Sequence, residues 1–128
     1  MKKKILIVED NNDSSEILRL FITKIGHQPI RARNGNEAIM LAEAETPDII
    51  FMDMDLPDID GVKTTALLRQ NPKTSHIPVV ALTAWISALW QDKAERVGIA
   101  TYLIKPVTPQ VLKATIEEYT RGSLTQMV

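Results

Sequence analysis

The feature that most constrains this chain is a regular alternation of short apolar runs with longer segments of helical period. Lys4-Ile5-Leu6-Ile7-Val8 is a β-branched run stopped by Glu9-Asp10. The next segment places Ile17, Leu18, Phe21, Ile22 and Ile25 on one face at helical spacing, and Gly26 closes it. Gln28 to Ala32 gives a weaker strand signal. Asn34-Gly35-Asn36-Glu37 opens a second helix with capping-box-like spacing. That helix carries Ala38, Leu41 and Ala42 and stops before Pro47. Asp48-Ile49-Ile50-Phe51-Met52 reads as a third strand. Asp53-Met54-Asp55-Leu56-Pro57 follows and cannot stay regular, because proline lacks a backbone donor.

Asp60 or Gly61 opens a third helix carrying Val62, Ala66 and Leu67, which ends near Asn71-Pro72. Val79 to Thr83 is the fourth strand, Ser87 to Val97 the fourth helix with Gly98 as its stop, and Thr101 to Ile104 the fifth strand. Thr108 caps the last helix, with Pro109 at its first position and Val111, Leu112, Thr115, Ile116 and Tyr119 as its apolar face. Strands and helices in strict alternation imply βαβ units, hence an α/β fold with a parallel sheet covered on both faces. Continuously apolar strands agree with burial on both sides.

At 128 residues the chain suits one domain, expected over residues 1–121, with Gly122 to Val128 as a flexible tail. Absence of cysteine excludes disulfides and thiolate metal sites. The two histidines, His27 and His76, are too far apart in sequence to suggest a zinc site. A net charge of −1 without a basic stripe speaks against direct nucleic-acid binding, and Lys2-Lys3-Lys4 reads as a solvated start. No apolar run reaches the roughly 18 residues that cross a bilayer, so no membrane insertion is expected. With no signal-peptide layout, the expected compartment is the cytoplasm.

In open α/β sheets, ligands bind beyond the carboxyl ends of the strands. The first strand delivers Glu9 and Asp10 there, the third Asp53, the fourth Thr83 and the fifth Lys105; the second offers only Arg33. Carboxylates gathered this way repel one another unless a cation sits among them, and oxygen donors suit Mg²⁺. An aspartate carboxylate can attack a phosphoryl group. A lysine and a threonine hydroxyl can then meet the phosphoryl oxygens. Each residue alone has a plainer reading: Glu9-Asp10 as a solvated pair, Asp53 as a turn cap, Thr83 as a strand end, Lys105 as surface. Together at one sheet edge they point to aspartyl-phosphate chemistry.

ILIVEDN at the first strand, DIIFMDMDLPDIDG at the third, PVVALTA at the fourth and YLIKP at the fifth are recognisable. From Lys3 to about Arg121 the chain resembles the receiver domain of two-component response regulators, of the single-domain chemotaxis-regulator type. The resemblance implies a flavodoxin-like, doubly wound five-stranded sheet of order 2-1-3-4-5 with five helices. It implies Asp53 as phosphoacceptor, Asp10 as a direct Mg²⁺ ligand, Glu9 acting through water, and the Asp55 backbone carbonyl as a further ligand. Thr83 should bond the phosphoryl group and Lys105 pair with it. Tyr102 matches the aromatic that turns inward when Thr83 moves. Pro106 matches a proline that follows a cis peptide.

The implied partners are a sensor histidine kinase or phosphotransfer protein upstream, and a protein target on the face of the fourth helix, fifth strand and fifth helix. The chain itself is expected to be a monomer or weak dimer, not an enzyme with turnover. Two departures from the family pattern bear on phosphate lifetime. Trp85 is bulkier than the usual residue two past the threonine, and Asp55 puts a carboxylate close to the acceptor. The apolar segment Trp85 to Trp90 has two readings: an inward stripe of Ile86, Trp90, Ala94 and Val97, or an exposed patch for a partner.

Two rival functions remain at this stage. A receiver-like module could work by docking alone, without phosphate. Asp53-Met54-Asp55 also looks like the nucleophile motif of haloacid-dehalogenase-type phosphohydrolases. In that family, however, the metal-binding acids follow the lysine, whereas here Glu9 and Asp10 precede Asp53.

Overall fold

The computed structural model describes residues 2–120. In chain order its elements are β1 (Lys4–Val8), α1 (Asn12–Lys24), β2 (Gln28–Ala32), α2 (Gly35–Glu45), β3 (Ile49–Asp53), α3 (Gly61–Gln70), β4 (Val79–Thr83), α4 (Ala88–Arg96), β5 (Thr101–Ile104) and α5 (Pro109–Thr120). The strands form one sheet of order β2-β1-β3-β4-β5, every neighbouring pair parallel. The expected tail from Gly122 lies outside the described residues.

Side chains alternate between the two sheet faces, and each face has its own core. Leu6, Val8, Ile50, Met52, Val79 and Ala81 pack with Ala38 and Ala42 of α2, Leu68 of α3 and the half-buried Trp90 of α4. Ile5, Ile7, Ile49, Phe51, Val80 and Leu82 pack with Leu18 and Ile22 of α1 and Leu112 and Ile116 of α5. A fully buried side chain of this size contributes about 1.5–3 kcal/mol, so β1, β3 and β4 form the stable spine.

Helix entries follow the sequence signals. Asn34 accepts from the Glu37 N–H, Asp60 from Lys63 and Ser87 from Trp90. Thr108 caps α5 through the Val111 N–H at 3.2 Å. Gly26 and Gly98 close α1 and α4 with φ of 97° and 83°, the left-handed region that favours glycine.

The helix faces are less simple than their spacing suggested. Ile17 and Val111 are exposed, though both were expected on inward faces. In α3 the buried side chains are Thr64, Thr65 and Leu68, while Leu67 faces outward. The threonines tolerate burial because their hydroxyls donate 2.8 Å bonds to the Asp60 and Gly61 carbonyls one turn back. A third departure concerns β5 and most of β2, which are not buried on both sides as the apolar strands implied. They are the sheet edges. Of the expected stripe, Ala94 is buried and Trp90 packs half-buried on the core, whereas Ile86 and Val97 lie just outside α4 and are half-buried. Trp85 and Leu89 face outward.

Candidate functional site

Parallel pairing brings all strand ends to one edge. Asp53 closes β3 opposite Leu82, and Thr83 closes β4 opposite Ile104. Glu9 and Asp10 follow β1, and Lys105 follows β5. Carboxylate oxygens of Glu9, Asp10 and Asp53 all lie within 4.8 Å of one another. The Lys105 ammonium is 3.2 Å from Asp53 Oδ2 and 3.7 Å from Glu9 Oε2. The other Asp53 oxygen, Oδ1, accepts the Asp55 N–H at 3.1 Å. Pro106 follows a cis peptide bond after Lys105.

Glu9 is 2% exposed and Asp53 5% exposed, whereas Asp10 is open to solvent. Burial, then the neighbouring Asp53 carboxylate, pushes Glu9 well above the usual carboxylate range; Lys105 pulls it back down and Asp10 adds to the rise. Glu9 Oε2 is the buried side-chain oxygen that finds no hydrogen-bond partner among the described residues. A buried acceptor without a donor is costly. Three carboxylates facing one ammonium also leave an excess of negative charge when ionised. Both features fit a small divalent cation with oxygen ligands, of the Mg²⁺ kind.

The remaining expected residues divide into two groups. Thr83 reaches the edge, but its hydroxyl donates to the Trp85 carbonyl at 2.7 Å. Trp85 itself is 73% exposed. Tyr102 sits apart from the acids, on the α4 side. Its ring meets Trp90 edge-on at 5.8 Å, and its hydroxyl accepts from Gln91 Nε2 at 3.3 Å. An open groove of about 440 Å³ separates Asp55 and Lys63 from Trp85, Trp90 and Lys93.

Two residues here were not legible from strand-end inspection. Arg31, inside β2, donates to the backbone carbonyls of Glu9 and Asp10. Arg33, singled out from the sequence, is exposed, and its N–H donates to the Glu37 carboxylate. Asp58 accepts the Gly35 and Asn36 N–H groups at 2.8 and 2.9 Å, tying the β3–α3 loop to the start of α2. A Cβ on Gly35 would collide with Ile59 and Thr64, so glycine permits this close seat. The only sequence sign of either contact is a charged residue near an apolar strand or loop, which is too common to single out.

Residues 5–117 match the response regulator receiver domain family. The polar-differentiation response regulator DivK of Brucella anthropi is 36% identical over 119 residues, covering 93% of this chain and 97% of the relative. A putative response regulator from Chloroflexus aurantiacus superposes with a TM-score of 0.86 at 31% identity, over 94% of this chain and 98% of that one. The receiver domain of a Pseudomonas aeruginosa sensor histidine kinase superposes with a TM-score of 0.86 at 27% identity, over 94% and 98%. In that structure a magnesium ion is coordinated in the active-site cleft.

Proposed function

The chain belongs to the response regulator receiver family, a signalling rather than a catalytic protein, and from that premise we propose that it is a phosphorylation switch with Asp53 as the phosphoacceptor. One observation carries the reading. Asp53 is a buried strand-end carboxylate with Lys105 at 3.2 Å and two further acids grouped around it. A sensor histidine kinase or phosphotransfer protein is the donor of the phosphoryl group.

An Asp53 oxygen attacks the phosphorus of a phosphohistidine or a small acyl phosphate. The new O–P bond makes an acyl phosphate, and the bond from phosphorus to the donor nitrogen or oxygen breaks with its electron pair leaving on the donor. Glu9, Asp10 and Asp53, with the Asp55 carbonyl, are the residues that would hold Mg²⁺, which neutralises phosphoryl charge when bound. Lys105, already beside Asp53, stays by the acceptor carboxyl as it becomes a mixed anhydride and offers its charge to the phosphoryl oxygens.

Two hydrogen bonds define the resting state. Thr83 must leave the Trp85 carbonyl to donate to a phosphoryl oxygen. Tyr102 must leave Gln91 and Trp90 to turn inward. Their joint movement changes the face of α4, β5 and α5, where the downstream protein binds. Asp55, whose N–H donates to Asp53, and Trp85, which lines the same groove as Asp55, set how long the acyl phosphate survives hydrolysis. A phosphate-independent docking module is the second reading, since Trp85 and Leu89 are already exposed on the α4 side without phosphate on Asp53.

Intact mass after incubation with acetyl phosphate and Mg²⁺ decides between them. The wild type should gain one phosphoryl group, and Asp53→Asn, or the wild type in chelator, should gain none. A folded wild type that stays unmodified would favour docking.

A further inference from the structure

Strand β2 contributes no carboxylate to the site, yet it holds the backbone that carries two of them. Its register places Arg31 beside Ile7 and Ala32 beside Val8. The ladder then runs one rung past β1, with the Glu9 N–H donating to the Ala32 carbonyl at 3.0 Å. On the other side of the same residue, the Glu9 carbonyl accepts from Arg31 Nη2 at 3.1 Å and Nε at 3.3 Å. Nη2 also donates to the Asp10 carbonyl at 3.3 Å. Both polar backbone groups of Glu9 are therefore taken by β2.

Past Asp10 the chain enters α1 at once, where Asn11 caps through the Ser14 N–H. Between the end of the strand and that cap, Arg31 is what spans the link. A guanidinium suits the task, because its planar fork can hold neighbouring carbonyls in a set geometry where an ammonium acts as a point charge. It also brings positive charge behind a loop whose side chains crowd negative charge in front.

We propose that Arg31 is a positioning residue for the cation site, holding Glu9 and Asp10 at the spacing a divalent ion needs. This rests on the reading of the acidic cluster as a Mg²⁺ site. Groups behind metal ligands commonly change metal affinity by roughly 10-fold or more. An unbraced loop must be ordered when the ion arrives, and that cost falls on binding.

The test is a calorimetric titration of the full chain with MgCl₂, without any phosphodonor, together with thermal melting in chelator. Arg31→Met should weaken Mg²⁺ binding by about 10-fold, with little change in the chelator melt. Arg33→Met removes the same charge close by without touching either carbonyl, and it should bind as the wild type does. Arg31→Lys keeps the charge but not the fork, so it should remain weak, and it carries the test if Arg31→Met does not fold. In acetyl-phosphate labelling, the Mg²⁺ concentration for half-maximal rate should rise while the rate at saturation holds, a split that general destabilisation would not give.

Unchanged affinity in the Arg31 variants, full recovery in Arg31→Lys, or equal weakening in Arg33→Met would each overturn the positioning role while leaving the Mg²⁺ site standing. A folded wild type that takes up no Mg²⁺ would instead remove the site reading, and this role with it.

Discussion

Strands β3 and β5 belong to the same sheet and pair in the same sense, but they live in different environments. Every residue of β3 is buried, whereas β5 alternates half-buried and exposed positions. Position explains it: β3 lies between β1 and β4 under both helix layers, and β5 is an edge with only β4 beside it. The acids sit at the ends of β1 and β3, in the densely packed half. Thr83 and Tyr102 sit at β4 and β5, where Tyr102 rests on a half-buried Trp90. The acid cluster is thus placed on strands that cannot yield and Tyr102 on an edge that can, while Thr83 closes the buried β4 between them and Lys105 reaches the acids from the edge side.

The largest effect that would test this contrast is in the core. Phe51→Ala removes a fully buried ring from β3 and should cost about 3–5 kcal/mol in urea unfolding. Leu89→Ala on α4, 67% exposed, should stay within about 0.5 kcal/mol of wild type. Similar losses in the two variants would erase the distinction.

A smaller effect probes cooperativity. Ser87→Ala deletes the α4 cap and should cost about 1 kcal/mol. If α4 opens separately, amide exchange should speed up several-fold along α4 while the β3 amides barely change. Equal acceleration in both would make the two regions one unit, and the compliant half would lose its meaning.

The smallest effect lies at the foot of the stable half. His27 Nδ1 accepts the Lys3 N–H at 3.0 Å, which a protonated ring cannot do. Burial first, then positive charges near the start of the chain including Lys3, hold His27 below its usual value of 6.5, against weaker pulls from Glu117 and Asp48. A depressed folded-state pKa contributes stability that is present above about pH 6.5 and lost as pH falls. His27→Asn keeps an acceptor without a titrating group, so the stability it loses relative to the wild type should be larger at pH 7 than at pH 5. Parallel profiles would show that the bond does not couple to protonation.

Local pattern carried most of the architecture. The strands and the starts of α2 to α5 could be placed because alternation, caps and glycine stops are short-range effects that act through the nearest few residues, whereas the Asn11 cap of α1 was not singled out. The strand ends Glu9, Asp10, Asp53, Thr83 and Lys105 were legible for the same reason: a parallel sheet sends every carboxyl end to one edge. The exposure of Ile17, Leu67 and Val111 was not legible, because helical spacing marks a face without saying how much of it the sheet covers. Nor was the outward state of Tyr102, which rests on Trp90 and Gln91 of α4, or the engagement of Thr83 with Trp85, which depends on the course the loop takes after β4. Arg31 and Asp58 depend most on the folded chain. Their partners lie about twenty residues away in sequence, and only closing the sheet and seating the β3–α3 loop on α2 brings donor to acceptor.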